Sequence, residues 1–266
     1  NGNVAIDVLR LLAKSPVEFD GSDIEPEFVD DGVETIHIVG RSPLEKAKFD
    51  AVMIKELGGL ESANAMIADG DSLVPDSDDQ KVSALRTLFG THKDGAKKTV
   101  IFHSGWTVTA FGGDNGKVMS VSLENHKEER RVIDCDSVVS AIGFEDAGTL
   151  VENKTLPVPD ENGALGGGLF AAGWFKRGPK GTIPENRTDS QSVANSIVAY
   201  LDGVSIWQKP GRMALMPSIQ DKATTYEHWL AIDERERASA PPGRVRSKIR
   251  NRRDMFAIIK EQRVTG

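Results

Sequence analysis

Hydrophobic residues recur at helical spacing from the start of the chain: Val4, Val8, Leu11 and Leu12 share one face of a helix that the pattern carries to about residue 14. The period then breaks. Residues 15–31 are acidic and include Pro16 and Pro26, which predicts a loop with at most a short helix. Thr35-Ile36-His37-Ile38-Val39 reads as a strand and Gly40-Arg41-Ser42-Pro43 as the turn that closes it. Residues 46–57, carrying Phe49, Val52 and Leu57, read as a second helix. A polar, acidic stretch at 69–79 precedes one more helix over 81–88.

From residue 99 the period changes to that of strands. Residues 99–102, 107–111 and 118–123 are β-rich, and Gly112-Gly113-Asp114-Asn115-Gly116 joins the last two as a hairpin, so a small antiparallel meander is expected. Residues 131–133 and 137–142 add two more strands, the second with the continuous apolar character of a buried sheet strand. Leu169-Phe170-Ala171-Ala172 is a short apolar strand that runs into a glycine-rich loop. A helix over 190–201 follows, with Val193, Ile197, Val198 and Leu201 at helical spacing. An amphipathic segment at 226–236, a break at Pro241-Pro242-Gly243 and an apolar patch at 255–259 predict C-terminal helices packed on the outside. The alternation of strands and helices defines an α/β chain.

With 266 residues, 39% hydrophobic and 27% charged, there is material for one large core or two modest ones. No apolar run approaches the roughly 18 to 20 residues that span a bilayer, and no basic stretch leads into an apolar core, so neither a membrane span nor a signal peptide is expected. Cys135 is the lone cysteine, which suits a reducing compartment; bacterial cytoplasm ranks ahead of the mitochondrial matrix. A net charge of -7 argues against general nucleic-acid binding. From Pro241 to Gly266 the sign reverses, with eight Lys or Arg against two acids, a net of +6. Such a tail either docks an acidic protein partner or, more ordinarily, forms a solvated helix face with snorkelling arginines.

Three places carry candidate chemistry. Asn1-Gly2-Asn3-Val4-Ala5 has the character of the last five residues of a G-x-G-x-x-A fingerprint, in which glycine lets a pyrophosphate approach backbone at the positive end of a helix. An ordinary helix N-cap gives the same sequence. Arg41 follows the strand at 35–39, at the position of the second strand of a dinucleotide fold, whose end meets the adenine ribose and where arginine selects a 2'-phosphate; the plain reading is an exposed arginine in a turn. In Gly173-Trp174-Phe175-Lys176-Arg177-Gly178-Pro179-Lys180-Gly181-Thr182-Ile183 the glycines permit tight turns, Trp174 offers a flat face to a ring, and residues 181–183 offer amide groups. A surface loop could have the same composition. The five histidines show no pair at metal-ligand spacing, so no metal is expected. Cys135, between Asp134 and Asp136, is placed against forming a thiolate.

Taken together, residues 1–10, Ile38-Val39-Gly40-Arg41-Ser42 and the 173–183 run, continued by Trp229, Ile232-Asp233 and Gly243-Arg244-Val245-Arg246-Ser247-Lys248, resemble the adrenodoxin reductase type of ferredoxin-NADP reductase over nearly the whole chain. The resemblance implies a flavoprotein with two dinucleotide-binding domains, an NADP domain inserted into an FAD domain whose first half would precede residue 1. Residues 1–131 would form the NADP-binding domain, lacking its first strand and first glycine. Residues 132–204 would complete the FAD domain, and 205–266 would form C-terminal helices packed on it. By the same resemblance Asn1, Gly2, Asn3 and Val4 would touch the NADP pyrophosphate and Arg41 the 2'-phosphate. Gly173, Trp174, Gly181, Thr182 and Ile183 would contact FAD, with Gly181 also near the nicotinamide. Asp7 matches an acidic residue that the family pairs with a histidine near the flavin. As a catalytic candidate it ranks last, since a helix carboxylate is more often solvated. NADPH would pass a hydride to the flavin, and single electrons would go on to a ferredoxin-like iron-sulfur protein.

The chain departs from the family at two points: Ser42 stands where a second arginine is usual, and Met53 where a glutamate is. Lys46 and Lys48 are candidates to compensate. The rival readings are a flavoprotein like the glutamate synthase small subunit, which shares the two-nucleotide plan without the Trp-x-Lys-Arg-Gly-Pro run, and a nucleotide-binding module without turnover. A polypeptide of these residues alone is expected to hold little or no FAD.

Overall fold

In the computed structural model, which describes residues 1–29, 32–71, 76–143, 158–178, 183–204, 212–219 and 223–265, the first helix α1 (Asn3–Ala13) forms where expected but turns a different face inward: Ile6, Leu9 and Ala13 are buried, while Val4 and Leu11 stay exposed. The chain divides into two units, residues 1–140 with 216–266, and residues 141–215; each is taken by itself below.

In the first unit, strands β1 (Thr35–Gly40), β2 (Ala63–Ile67) and β3 (Lys98–Ser104) form a parallel sheet in the order β1-β3-β2, with Ile38 opposite Phe102 and Ala65 opposite Val100. One face, through Ile36, Ile38, Val100 and Phe102, packs on α1, α2 (Ala51–Gly58) and α3 (Gln80–Gly90) in a single apolar core with Leu9, Phe49, Ile54, Leu57 and Leu85. The helix expected over 46–57 is therefore shorter. A single 3-10 turn at Leu44–Lys46 gives way to extended backbone that sends Phe49 into the core, and Asp50 then caps α2, on which Val52 faces outward.

The other side of the sheet carries a second, smaller apolar cluster in which Trp106, Val121, Leu123 and Ile133 meet Val39 and Cys135. These come from an antiparallel meander of β4 (Trp106–Asp114), β5 (Lys117–Asn125) and β6 (Arg130–Asp134). Its hairpin turns at Asn115 and Gly116, with φ of 50° and 77°, the left-handed pair that a two-residue turn between twisted strands requires. The strand expected at 137–142 does not form. Residues 137–142 pair with none of the described strands, and Val138, Val139 and Ile142 stay exposed, because an apolar run becomes a buried strand only where a neighbour supplies its ladder.

Two helix ends in this unit are closed by lysines. The Lys98 ammonium, on a residue only 4% exposed, donates to Leu12 O and Lys14 O at 2.9 Å each beyond the last turn of α1, and Lys93 donates to Gly58 O and Leu60 O at the end of α2. Glu18 ties down the loop after α1. It accepts from Ser15 N (2.8 Å), Ser15 Oγ (2.9 Å) and Glu61 N (2.7 Å). Burial would raise its carboxyl, but the hydrogen bonds outweigh that and hold it down at about 2. A glutamine can offer only one of the two oxygens those donors use. Glu18→Gln is therefore expected to lower the unfolding free energy by about 1 kcal/mol in urea titrations at pH 7; an unchanged midpoint would count against this tie.

The C-terminal part of this unit holds α7 (Tyr226–Ala238), α8 (Arg252–Thr265) and, between them, a non-helical strap at 241–250. The strap lies along the acidic loop after α1, with Gly21 N donating to Gly243 O (2.8 Å) and Val245 N to Ser22 O (3.0 Å). Its basic residues do not form the solvated helix face expected from the sequence. Arg244 pairs with Asp20 (2.9 Å), Lys248 with Asp23 (3.4 Å) and Arg250 with Glu27, while Arg246 turns to Asp233 (2.6 Å) and Glu236 (3.5 Å) of α7. Half of the tail's eight cations are thus neutralised within the chain.

The second unit contains a short hairpin of β7 (Ala164–Gly166) and β8 (Leu169–Phe170), a single helical turn α4 (Trp174–Arg177) and the long helix α5 (Ile183–Asp202). Among its described residues the buried apolar side chains are Val193 and Ala171, closed over by Gly163, where a Cβ would stand 2.4 Å from Ala171 O. The second division between the units falls within α6 (Arg212–Ile219).

Candidate functional site

In the first unit the start of α1 and the end of β1 lie together. Gly2 caps α1 in extended backbone without a side-chain cap, and the first turn holds no acidic residue. The first amide groups of the helix, with the positive end of its dipole, are thus not answered by a carboxylate of the first turn. Asn1 lies against Gly40 so closely that a Cβ there would stand 2.1 Å from the Asn1 amide nitrogen, and Lys48 N donates to Asn1 O (3.1 Å). Glycine at 40 is what lets the helix start approach the strand end. Asn3 is held on both amide atoms by Asp50, donating to Oδ2 (2.7 Å) and accepting from Asp50 N (2.9 Å). It therefore faces any ligand through its backbone, while Val4 is exposed.

Arg41 follows directly, exposed and paired with no carboxylate among the described residues; Lys46 and Lys48 are exposed on the segment after it. Met53 is half-buried against the apolar core, so that position belongs to packing. Asp7 is largely exposed and pairs with Arg10 (3.2 Å), which also reaches Glu56 (2.8 Å).

In the second unit, Gly173 (φ 62°, ψ -138°) and Gly178 (φ 74°, ψ 178°) bracket α4 in backbone conformations that side chains resist. Lys176 and Arg177 turn inward onto α5. Asp189 accepts from Lys176 Nζ (3.0 Å) and Gly173 N (2.9 Å), with Arg177 Nε at 3.7 Å, and Arg177 also donates to Asn186. The Lys176 hydrogen bond, ahead of smaller contributions, holds the Asp189 carboxyl below its usual range. Trp174 and Phe175 are left 42% exposed each. Gly181 and Thr182 lie outside the described residues, as does the side chain of Ile183, whose backbone opens α5.

A further cluster joins residues far apart in the sequence. Asp71, its side chain 2% exposed, accepts from Ser104 N, Trp106 Nε1 and Arg131 Nη2, each at 2.9 Å. The Arg131 guanidinium stacks 4.2 Å from the Trp106 ring centroid and reaches His103 Nδ1 (2.7 Å), and His103 Nε2 meets His37 Nδ1 at 2.9 Å. An arginine can only donate, so His103 Nδ1 is the acceptor, Nε2 carries the hydrogen, and His37 Nδ1 accepts it. Burial first, then His37 and Arg131, against a partial offset from Asp71, pushes His103 down to about 4, and burial lowers His37 as well. Strands β1, β3 and β6 are locked together here. Nothing in the sequence marks this cluster, because its hydrogen-bonded partners are 28 to 66 residues apart. Burial, then Asp136 and Asp134, pushes the Cys135 thiol up. Among the described residues no group of His, Cys, Asp and Glu could hold a metal ion, and no helix is long and apolar enough to cross a membrane.

A parallel sheet with helices packed on one face and a glycine-capped helix start beside the carboxyl end of a strand is the arrangement found in dinucleotide-binding α/β domains. No family model matches the chain. It is 34% identical to a cindoxin reductase of Citrobacter braakii, over 94% of this chain and 57% of that protein. It is 29% identical to the NADPH-ferredoxin reductase FprA of Mycobacterium leprae, over 97% of this chain and 65% of that one. The structure of Mycobacterium tuberculosis FprA in complex with NADPH superposes with a TM-score of 0.77 at 25% identity, covering 97% of this chain and 66% of its own. The chain is therefore homologous, along nearly its whole length, to ferredoxin-NADP reductases of the FprA and adrenodoxin reductase type, and has the fold of the matching part of a flavoprotein with two dinucleotide-binding domains. It spans about 57 to 66% of the length of these relatives.

Proposed function

We propose that the protein is an FAD-dependent reductase that takes electrons from NADPH and gives them to a ferredoxin-like iron-sulfur protein in the bacterial cytoplasm. The observation that carries this is the meeting, in one unit, of a helix start without an acidic first turn and the exposed Arg41 at the end of β1. The names of the relatives, reductases of cindoxin and ferredoxin, supply the class of acceptor. They do not favour the glutamate synthase reading.

In this proposal residues 1–131, completed by the rest of β6 to Asp134, are the NADP-binding domain, the residues from there to 204 belong to the FAD-binding domain, and 205–266 are the C-terminal helices, of which 216–266 group with residues 1–140. The amides of Gly2, Asn3 and Val4 receive the pyrophosphate, Asn1 and Asp50 keep the helix start against β1, and Arg41 takes the 2'-phosphate, with Lys46 and Lys48 adding charge where Ser42 offers none. Gly173, Trp174, Gly181, Thr182 and Ile183 hold the flavin, for which the exposed Trp174 ring and the glycine-bracketed turn are fitting partners. Asp7 is the lowest-ranked of the proposed roles, as a carboxylate near the flavin. When bound, NADPH supplies a hydride to FAD, which passes electrons on one at a time.

The test is reduction of the flavin in the full-length protein by NADPH and by NADH. Arg41→Ala is expected to weaken NADPH about tenfold and leave NADH unchanged, since an arginine-phosphate pair is lost only with the former. Equal effects on both nucleotides would remove Arg41 from the 2'-phosphate site. Lys46→Ala with Lys48→Ala should add a further loss for NADPH alone.

A further inference from the structure

The turn Gly173–Arg177 contains two aromatic and two basic side chains in sequence, and the structure sorts them by one carboxylate. Asp189 of α5, its side chain a tenth exposed, draws in Lys176, itself 12% exposed, at 3.0 Å. Its second oxygen accepts the amide of Gly173 at 2.9 Å, at the residue whose left-handed backbone starts the turn. Three residues earlier on the same helix face, Asn186 accepts from Arg177. The turn is closed from within by Lys176 N and Arg177 N donating to Gly173 O, at 3.1 and 3.0 Å. With both basic side chains tied to α5, the turn presents Trp174 and Phe175 and withdraws its cations.

We propose that Asp189 is a positioning residue of the flavin site: it fixes the Gly173 turn so that the Trp174 ring is held in the orientation that receives the isoalloxazine. This rests on the flavoprotein reading above. Asp189 itself touches no cofactor; it acts by binding the start of the turn and its first cation at once, which neither a neutral nor a shortened side chain can do. The inward lysine and arginine are then part of the support and not contacts to a phosphate or to a protein partner.

The test uses the full-length protein with Asp189→Ala, Asp189→Asn and Asp189→Glu, each also made with Trp174→Phe so that the difference in emission isolates Trp174 from the other tryptophans. Asp189→Ala and Asp189→Asn are expected to shift the Trp174-dependent emission, raise its quenching by acrylamide and weaken flavin binding about tenfold, with far-UV circular dichroism unchanged and Asp189→Glu recovering part of the loss. The proposal is overturned if both variants keep the Trp174 signal and the flavin affinity of the unaltered protein. It is equally overturned if only Asp189→Ala changes and does so together with loss of helical signal. An unaltered full-length protein without flavin would defeat the proposed function, while the Trp174 emission would still decide whether Asp189 sets the turn.

Discussion

Asp71→Ala is expected to lower the unfolding free energy of the unit formed by residues 1–140 and 216–266 by about 3 to 5 kcal/mol, the range for removing one partner from a buried ion pair. The carboxylate is 2% exposed and is the common acceptor for Ser104 N, the Trp106 indole and the Arg131 guanidinium. Its loss leaves a backbone donor at the end of β3 and an indole N–H without partners, and sets the arginine against His103 with no counter-charge. Denaturant titration of Asp71→Ala, alone and in an Arg131→Met background, measures this directly. The second cost should be much the smaller, because the stranded cation is then absent; a single-variant loss under about 1 kcal/mol would show that the cluster is not a stabilising junction.

The same cluster makes the unit sensitive to acid. His103 is held near 4 in the folded protein, against an ordinary value of 6.5, so between these limits the unfolded chain binds more protons than the folded one. Stability from this residue is complete above about pH 6.5 and declines as pH falls through 4. The loss across this window is on the order of 2 kcal/mol, less than the full shift would give because solvent reaches the cluster at Arg131, with His37, lowered by burial, acting in the same direction. His103→Gln keeps an acceptor for Arg131 and a donor for His37 but does not titrate. Thermal midpoints measured from pH 8 to pH 4 should therefore fall less in His103→Gln than in the unaltered protein. Parallel curves would mean that other groups carry the acid response.

How far the sequence announces this structure depends on whether a feature is local. The first helix, β1 and the Asn115-Gly116 hairpin are legible because spacing and turn chemistry determine them within a dozen residues. The helix expected over 226–236 forms as α7, but not with an apolar face inward: its buried side chains are Asp233 and Glu236, while Tyr226, Trp229 and Leu230 stay exposed. Strand β2 is not legible: Ala63-Asn64-Ala65-Met66-Ile67 has little β preference and becomes a strand because β3 offers it a parallel partner. The 137–142 run shows the opposite case, strand-like residues without a ladder. Of the site, Gly2 and Arg41 stand out by motif, but their approach depends on Gly40, whose role appears only when Asn1 is seen against it. The pairing of the basic strap is not legible for a similar reason, since the acids that neutralise it lie more than two hundred residues earlier or on α7.

That separation governs the order in which the protein can be completed as it is made. Arg244 and Asp20 are 224 positions apart, Ser247 and Glu25 222, and Arg250 and Glu27 223. At about 5 to 20 residues per second, the ribosome adds the strap on the order of ten seconds after residue 140. Until then Asp20, Asp23, Glu25 and Glu27 lack the partners that the strap supplies. The sheet, its helices and the Glu18 end of the loop after α1 are available to fold early, whereas residues 20–27 gain their partners only when the strap arrives, near the end of synthesis of the unit.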